Sequence, residues 1–172
     1  MSNYKKARGW RNNNPLNIRK GERWIGLSSA NYDTEFCRFI SMPFGYRAAA
    51  KVLKSYYRTL TQAGKPFTVE NIIKRWAPEN ENNTTAYIRR VEELLYGDTP
   101  FPSGEGQGEG SWREGPLGRP DTPQGARHIA QLMAAMTCVE CGCPPSAVPY
   151  MAILDGVDMA YGIHPRLDDI KL

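Results

Sequence analysis

Apolar residues recur at helical spacing in five blocks of this 172-residue chain, parted by short polar breaks and by one long stretch rich in glycine and proline. The first block is the clearest. Ser41 is a candidate N-cap, Pro43 suits a first helical turn, and Phe44, Ala48, Val52, Tyr56 and Leu60 then share a face up to Gly64. Thr68 caps a shorter helix in which Glu70 meets the positive N-terminal end, Ile72, Ile73 and Trp76 form the apolar face, and Pro78 stops the element. Asn83 or Thr84 caps a third, with Tyr87, Val91, Leu94 and Leu95 in a stripe and Gly97 as its stop. Farther on, Ala126, Ile129, Met133 and Met136 predict another amphipathic helix, and residues 148–161 predict a further buried one.

Elsewhere the helical period is lost. Trp24-Ile25-Gly26-Leu27, a polar turn over residues 28–31 and the aromatic run from Glu35 to Ile40 predict a short β-hairpin in which Glu35, Cys37 and Phe39 share one face. Residues 98–124 hold too many glycines and prolines for regular structure and read as a linker or long functional loop. Phe101, Trp112 and Leu117 are scattered anchors there, so a mobile connection is the default and a lid across the body is the alternative. Residues 1–22 read as a basic, turn-rich loop. Asn12, Asn13, Asn14 and Asn17 surround Pro15, and asparagine makes turns because its short amide bonds nearby backbone and tolerates left-handed geometry.

Length fits one domain with a substantial core, or one domain plus an appendage. No apolar run approaches the ~18 residues a membrane span needs, and the opening MSNYKKARGW lacks the apolar segment of a secretory signal. Synthesis in the cytoplasm, with no membrane partner, is therefore expected. A net charge of +4 suits an anionic partner such as a cell-wall polymer or nucleic acid. The basic residues Lys74, Arg75, Arg89 and Arg90 come with no reading helix or stacking motif, so no nucleic-acid partner is assigned. His128 and His164 are isolated from any recognisable nucleophile, which argues against a histidine-dependent peptidase. The cluster Cys138-x-x-Cys141-x-Cys143 leaves open a zinc site completed by Cys37 or a histidine, buried thiols, or a disulfide. The two separated ligand pairs of familiar zinc signatures are missing, so no metal or cofactor is assigned.

Six segments come in one order over residues 9–97: R-N-N-N-P-L-N-I-R, W-I-G-L, D-T-E-F-C-R-F, G-Y-R-A, R-W-A-P-E-N and T-A-Y-I-R-R-V. Together, over about half the chain, they resemble a family of phage virion and cell-wall lytic proteins with an R-N-N-N-P-G-N-I-R opening; Leu16 stands where that family usually has glycine. The order is also similar to that of cell-wall glucosaminidases. The resemblance implies a mainly α fold of α+β kind, a lysozyme-like helical domain with a small β-hairpin over residues 1–97, which the residue patterns above follow with the linker or loop over 98–124 and a C-terminal helical extension over 125–172. It further implies peptidoglycan as substrate, other virion proteins as partners, and action at the bacterial cell wall or within a virion.

Glycoside cleavage needs a carboxylic acid held protonated near the leaving oxygen, usually with a second carboxylate. In lysozyme-like families the principal acid ends the helix just before the asparagine turn, yet residues 1–21 here hold neither Asp nor Glu. Among the remaining acids Glu35 is the candidate, with Tyr32 and Phe36 beside it in sequence to desolvate it. Tyr87 resembles the tyrosine that reaches across the cleft toward the acid, and is otherwise a core residue. The resemblance sets Asn13, Asn14, Asn17, Trp24, Asp33 and Trp76 beside the glycan. The expected function is a peptidoglycan-degrading glycosidase, hydrolase or lytic transglycosylase. The alternative is a virion structural or wall-binding protein that kept the shape and lost the chemistry.

Overall fold

The computed structural model describes residues 3–96 and 115–172, so the expectations for Phe101, Trp112 and most of the glycine-rich stretch lie outside the described residues. The protein is mainly α-helical: α1 (Arg8–Arg11), α2 (Met42–Gln62), α3 (Val69–Trp76), α4 (Thr84–Tyr96), α5 (Pro123–Cys141) and α6 (Tyr150–Tyr161), with short 3-10 turns at Asn3–Lys6, Pro145–Ala147 and Leu167–Asp169. Three caps follow the sequence signals. Ser41 is extended before α2, the Thr68 hydroxyl accepts from the Asn71 N–H, and the Asn83 side chain accepts from the Ala86 N–H.

α5 departs from the expectation of an amphipathic helix. Thirteen of its residues are buried, among them Ile129, Leu132, Met133, Ala134, Ala135 and Met136, so it is apolar nearly all round, as a helix in the centre of a core must be. It packs on α4, α6 and α2, while α6 lies along α2 with Gly156 against Tyr46 and the Pro43 carbonyl, where a Cβ would come within 2.6 and 2.9 Å. Tyr46 and Thr137 share a buried hydrogen bond of 2.9 Å between α2 and α5. Residues 125–172, expected as a helical extension, share one core with the first half of the chain. Leu117, within the expected linker, is itself fully buried and bonds Phe67 through its N–H.

The hairpin is reduced to two isolated antiparallel bridges, Arg19 with Phe36 and Leu27 with Phe39. Side chains take the donors that a ladder would use. The Asn31 amide oxygen accepts from the Asp33 N–H, and the Asp33 carboxylate accepts from the N–H groups of Glu35 and Phe36. Residues 35–40 are pinned on both sides, bonding residues 18–20 through Cys37 N–H to Ile18 and residues 26–28 through Ile40 N–H to Gly26. Cys37 and Phe39 turn inward, whereas Glu35 faces solvent.

The basic opening is more ordered than a loop, and its asparagines divide the labour. Asn13 and Asn17 carry the positive φ of 51° that an asparagine tolerates, whereas Leu16 does not and buries its side chain instead. Asn14 is fully buried. Its Nδ2 donates to the carbonyls of Ile18 and Cys37, both at 2.9 Å, and its Oδ1 accepts from the Ile18 N–H at 2.8 Å. Gly45 lets α2 lie directly on this turn, because a Cβ there would strike the Asn13 carbonyl. Replacing Asn14 with alanine strips three buried backbone groups of their partner, and urea unfolding should show a loss of about 3 kcal/mol. A loss near zero would mean that the turn holds without its amide.

Candidate functional site

The last turn of α5 delivers Glu140, and Gly142, at φ 63°, ends that helix in the left-handed conformation. Three donors from three other parts of the chain converge on its carboxyl group. Asn17 Nδ2 reaches Oε2 at 2.8 Å; the Tyr87 hydroxyl, from α4, reaches Oε1 at 2.8 Å; and Trp76 Nε1, at the end of α3, reaches Oε1 at 3.3 Å. The positive φ of Asn17 aims its amide at α5, and the Cys141 thiol, donating to the Pro15 carbonyl, fastens the helix end to the turn. Trp76 in turn meets the Tyr56 ring edge-on at 6.2 Å.

Burial and hydrogen bonding oppose each other at this carboxyl. Removal from water favours the neutral acid, while three donors favour the carboxylate. Burial wins, and Glu140 is raised above the ordinary value of 4.5. The Tyr87 hydroxyl is pushed well up, first by burial and then by Glu140 beside it, so it remains a phenol that donates. The Asn17 Oδ1 is buried with no partner among the described residues, so an amide turned over would offer the protonated acid an acceptor. The arrangement can therefore hold a proton and stabilise the charge left when the proton departs.

Of the residues singled out from sequence, Asn17, Trp76 and Tyr87 meet here, and Tyr87 does face an acid. Asn13, half-buried, bonds the Phe39 carbonyl, whereas Asn14 is sealed in the turn and cannot face ligand space. Asp33 and Glu35 form a separate group around Arg8. The guanidinium bonds both oxygens of Asp33, at 2.6 and 2.7 Å, and Glu35 at 2.8 Å. The Arg8 pairing holds the Asp33 carboxyl well below the usual range. Tyr32 is 85% exposed, and the Phe36 ring lies against Arg8 and Arg19, so neither shields Glu35 from water. Trp24 is half-buried and stands apart from Glu140 in the contacts it makes.

Sequence reasoning passed over Glu140 because it sits inside the cysteine cluster. A signal existed: it is the one Asp, Glu, Lys or Arg between Arg127 and Asp155, a lone acid in an apolar helix. The cysteines themselves are four buried free thiols, and burial pushes the Cys141 thiol up to about 12. Among the described residues no three His, Cys, Asp or Glu side chains come together to hold a metal ion, and no helix is long and apolar enough to cross a membrane.

Fold and site together define a mainly α-helical protein in which a half-buried carboxyl at the end of α5 gathers donors from three other segments. No family model matches the chain. It is similar to Protein P5 of Pseudoalteromonas phage PM2, at 43% identity over 89 residues, which cover 49% of this chain and 53% of that protein. The chain thus spans about half the length of the curated relative it matches.

The raised carboxyl has a thermodynamic consequence. A protonated Glu140 contributes stability that is present in full below about 4.5, the unfolded value, and lost as pH rises through the higher folded value. Glu140→Gln does not titrate, so denaturation should find the variant gaining on the natural protein between pH 4 and 8. The reverse trend would mean that the carboxylate is the favoured form.

Proposed function

We propose that this is a phage peptidoglycan-degrading glycosidase of the lysozyme-like class, with Glu140 as its general acid. The observation that carries the reading is the convergence of Asn17, Trp76 and Tyr87 on one half-buried carboxyl at a helix end. In this reading Glu140 supplies the acid that residues 1–21 lack, because α5 ends against the asparagine turn, where the Cys141 thiol donates to the Pro15 carbonyl. The similarity to a phage protein supports a phage setting, and Trp76 with Tyr56 supplies aromatic surface next to the acid.

In this mechanism neutral Glu140 gives its proton to the glycosidic oxygen as the C1–O bond breaks, and the departing sugar leaves as an alcohol. Tyr87, Asn17 and Trp76 then stabilise the carboxylate. An incoming hydroxyl, from water or from the sugar's own 6-position, adds to C1 and returns its proton to Glu140. The carboxyl ends as it began.

Digestion of purified peptidoglycan tests this. The natural protein should release soluble glycan fragments, at a rate that falls as pH rises through the raised value of Glu140, and Glu140→Gln should lower the rate by roughly 100-fold or more. Glu35→Gln should leave it nearly unchanged. Full activity in Glu140→Gln would remove that residue from the role. No release at any pH between about 4 and 8, with the protein still sedimenting with walls, would mark a non-catalytic wall-binding protein instead.

A further inference from the structure

Cys138, Cys141 and Cys143 cluster at the end of α5 as free thiols, and the mechanism above uses none of them as a reactive group. Their surroundings differ. Cys141 donates to the Pro15 carbonyl at 3.4 Å, and Cys37, elsewhere, to the Arg19 carbonyl at 3.3 Å, so each is held as a thiol by an acceptor. Gly142, at φ 63°, turns the chain back over the last helical turn, and Cys143 then makes only a long contact of 3.7 Å to the Thr137 carbonyl. That contact sets its sulfur beside the next residue, Cys138. The Cys138 S–H donates to the Cys143 sulfur, which also receives the N–H of its own residue. Both cysteines keep 6% of their surface open, and the exposed residues Gly142 and Pro144 flank Cys143, so a small reagent can reach the pair.

We infer that Cys138 and Cys143 are a redox pair, which a hydroperoxide joins into a disulfide that staples the end of α5 around Glu140. Two donors on one sulfur favour its thiolate, and they hold Cys143 below the ordinary thiol value while Cys138, the donor, is held above it. Cys143 is therefore the nucleophile. Its thiolate attacks one peroxide oxygen, the O–O bond breaks, and hydroxide leaves and is protonated to water, which makes Cys143 a sulfenic acid. The Cys138 sulfur, giving up its proton, then attacks the Cys143 sulfur, and the S–O bond breaks as hydroxide takes that proton and leaves as a second water. Two thiols lose two electrons and the peroxide gains them. The bridge closes residues 138–143 into a ring that contains Glu140, so the turn carrying the carboxyl is restrained in the unfolded chain. Asn17, Trp76 and Tyr87 reach Glu140 from outside that ring.

The test treats the full chain with excess hydrogen peroxide and then counts thiols. Four should fall to two, and cutting the oxidised chain after Glu140 with a glutamate-specific protease should leave the two flanking peptides joined until dithiothreitol parts them. Cys141→Ser should still lose two thiols. Cys143→Ser should keep its three, and Cys138→Ser should leave Cys143 as a sulfenic acid that dimedone captures. Oxidation should raise the Tm of the natural chain by about 5 °C and leave that of Cys143→Ser in place. The thiol count and the peptide link need no substitution, so they decide the matter if a variant fails to fold. Four surviving thiols, a link that runs through Cys37 or Cys141, or a Tm that does not rise on oxidation would overturn the pair. Glycan release plays no part in these measurements, so the redox pair and the glycosidase reading fail separately.

Discussion

A carboxyl group can be taken out of water only if the protein meets the oxygens it hides, and Glu140 imposes that demand on three distant stretches of chain. Asn17 must hold a left-handed conformation to reach it, α3 must end with Trp76 beside it, and α4 must turn Tyr87 inward. Each supporting feature serves this junction. Gly9 lets α1 lie close to the turn, since a Cβ there would meet the Asn14 carbonyl at 2.7 Å and the Asn17 Oδ1 at 2.9 Å, and Asn14 fixes the turn from within. The carboxyl gives this junction its hydrogen-bond partners, while the apolar core around α5 supplies the adhesion.

How much of this was legible from sequence follows the range of the interactions. Thr68 and Asn83 bond backbone within a turn of themselves, and Ser41 stands extended ahead of Pro43, so the starts of α2, α3 and α4 could be read locally. α5 could not be read as a central helix, because Ala134, Ala135 and Cys138 look neutral until neighbours surround them on every side. The hairpin failed for a local reason with a nonlocal look: aromatic strand formers were present, but Asn31 and Asp33 compete for the same backbone donors. Glu140 lies 123 residues from Asn17, and no pattern along a chain announces a pair so far apart.

The asparagine run is instructive in the same way. Four residues of one type in one turn perform four tasks: Asn12 holds Asp33, Asn13 holds the Phe39 carbonyl, Asn14 builds the turn, and Asn17 carries the turn to α5. Sequence gave the class of element and the neighbourhood of the site. The sorting of the four amides into support and site came only with the direction of each side chain.

The central claim is that burial keeps the carboxyl on α5 ready to carry a proton at the asparagine turn. The most direct measurement is a carbon-13 NMR titration of the Glu140 side-chain carboxyl, in the natural chain and in Tyr87→Phe. The account predicts a midpoint above 4.5 that climbs further when the phenol, a donor to the carboxylate, is removed. A midpoint at or below 4.5 would contradict it.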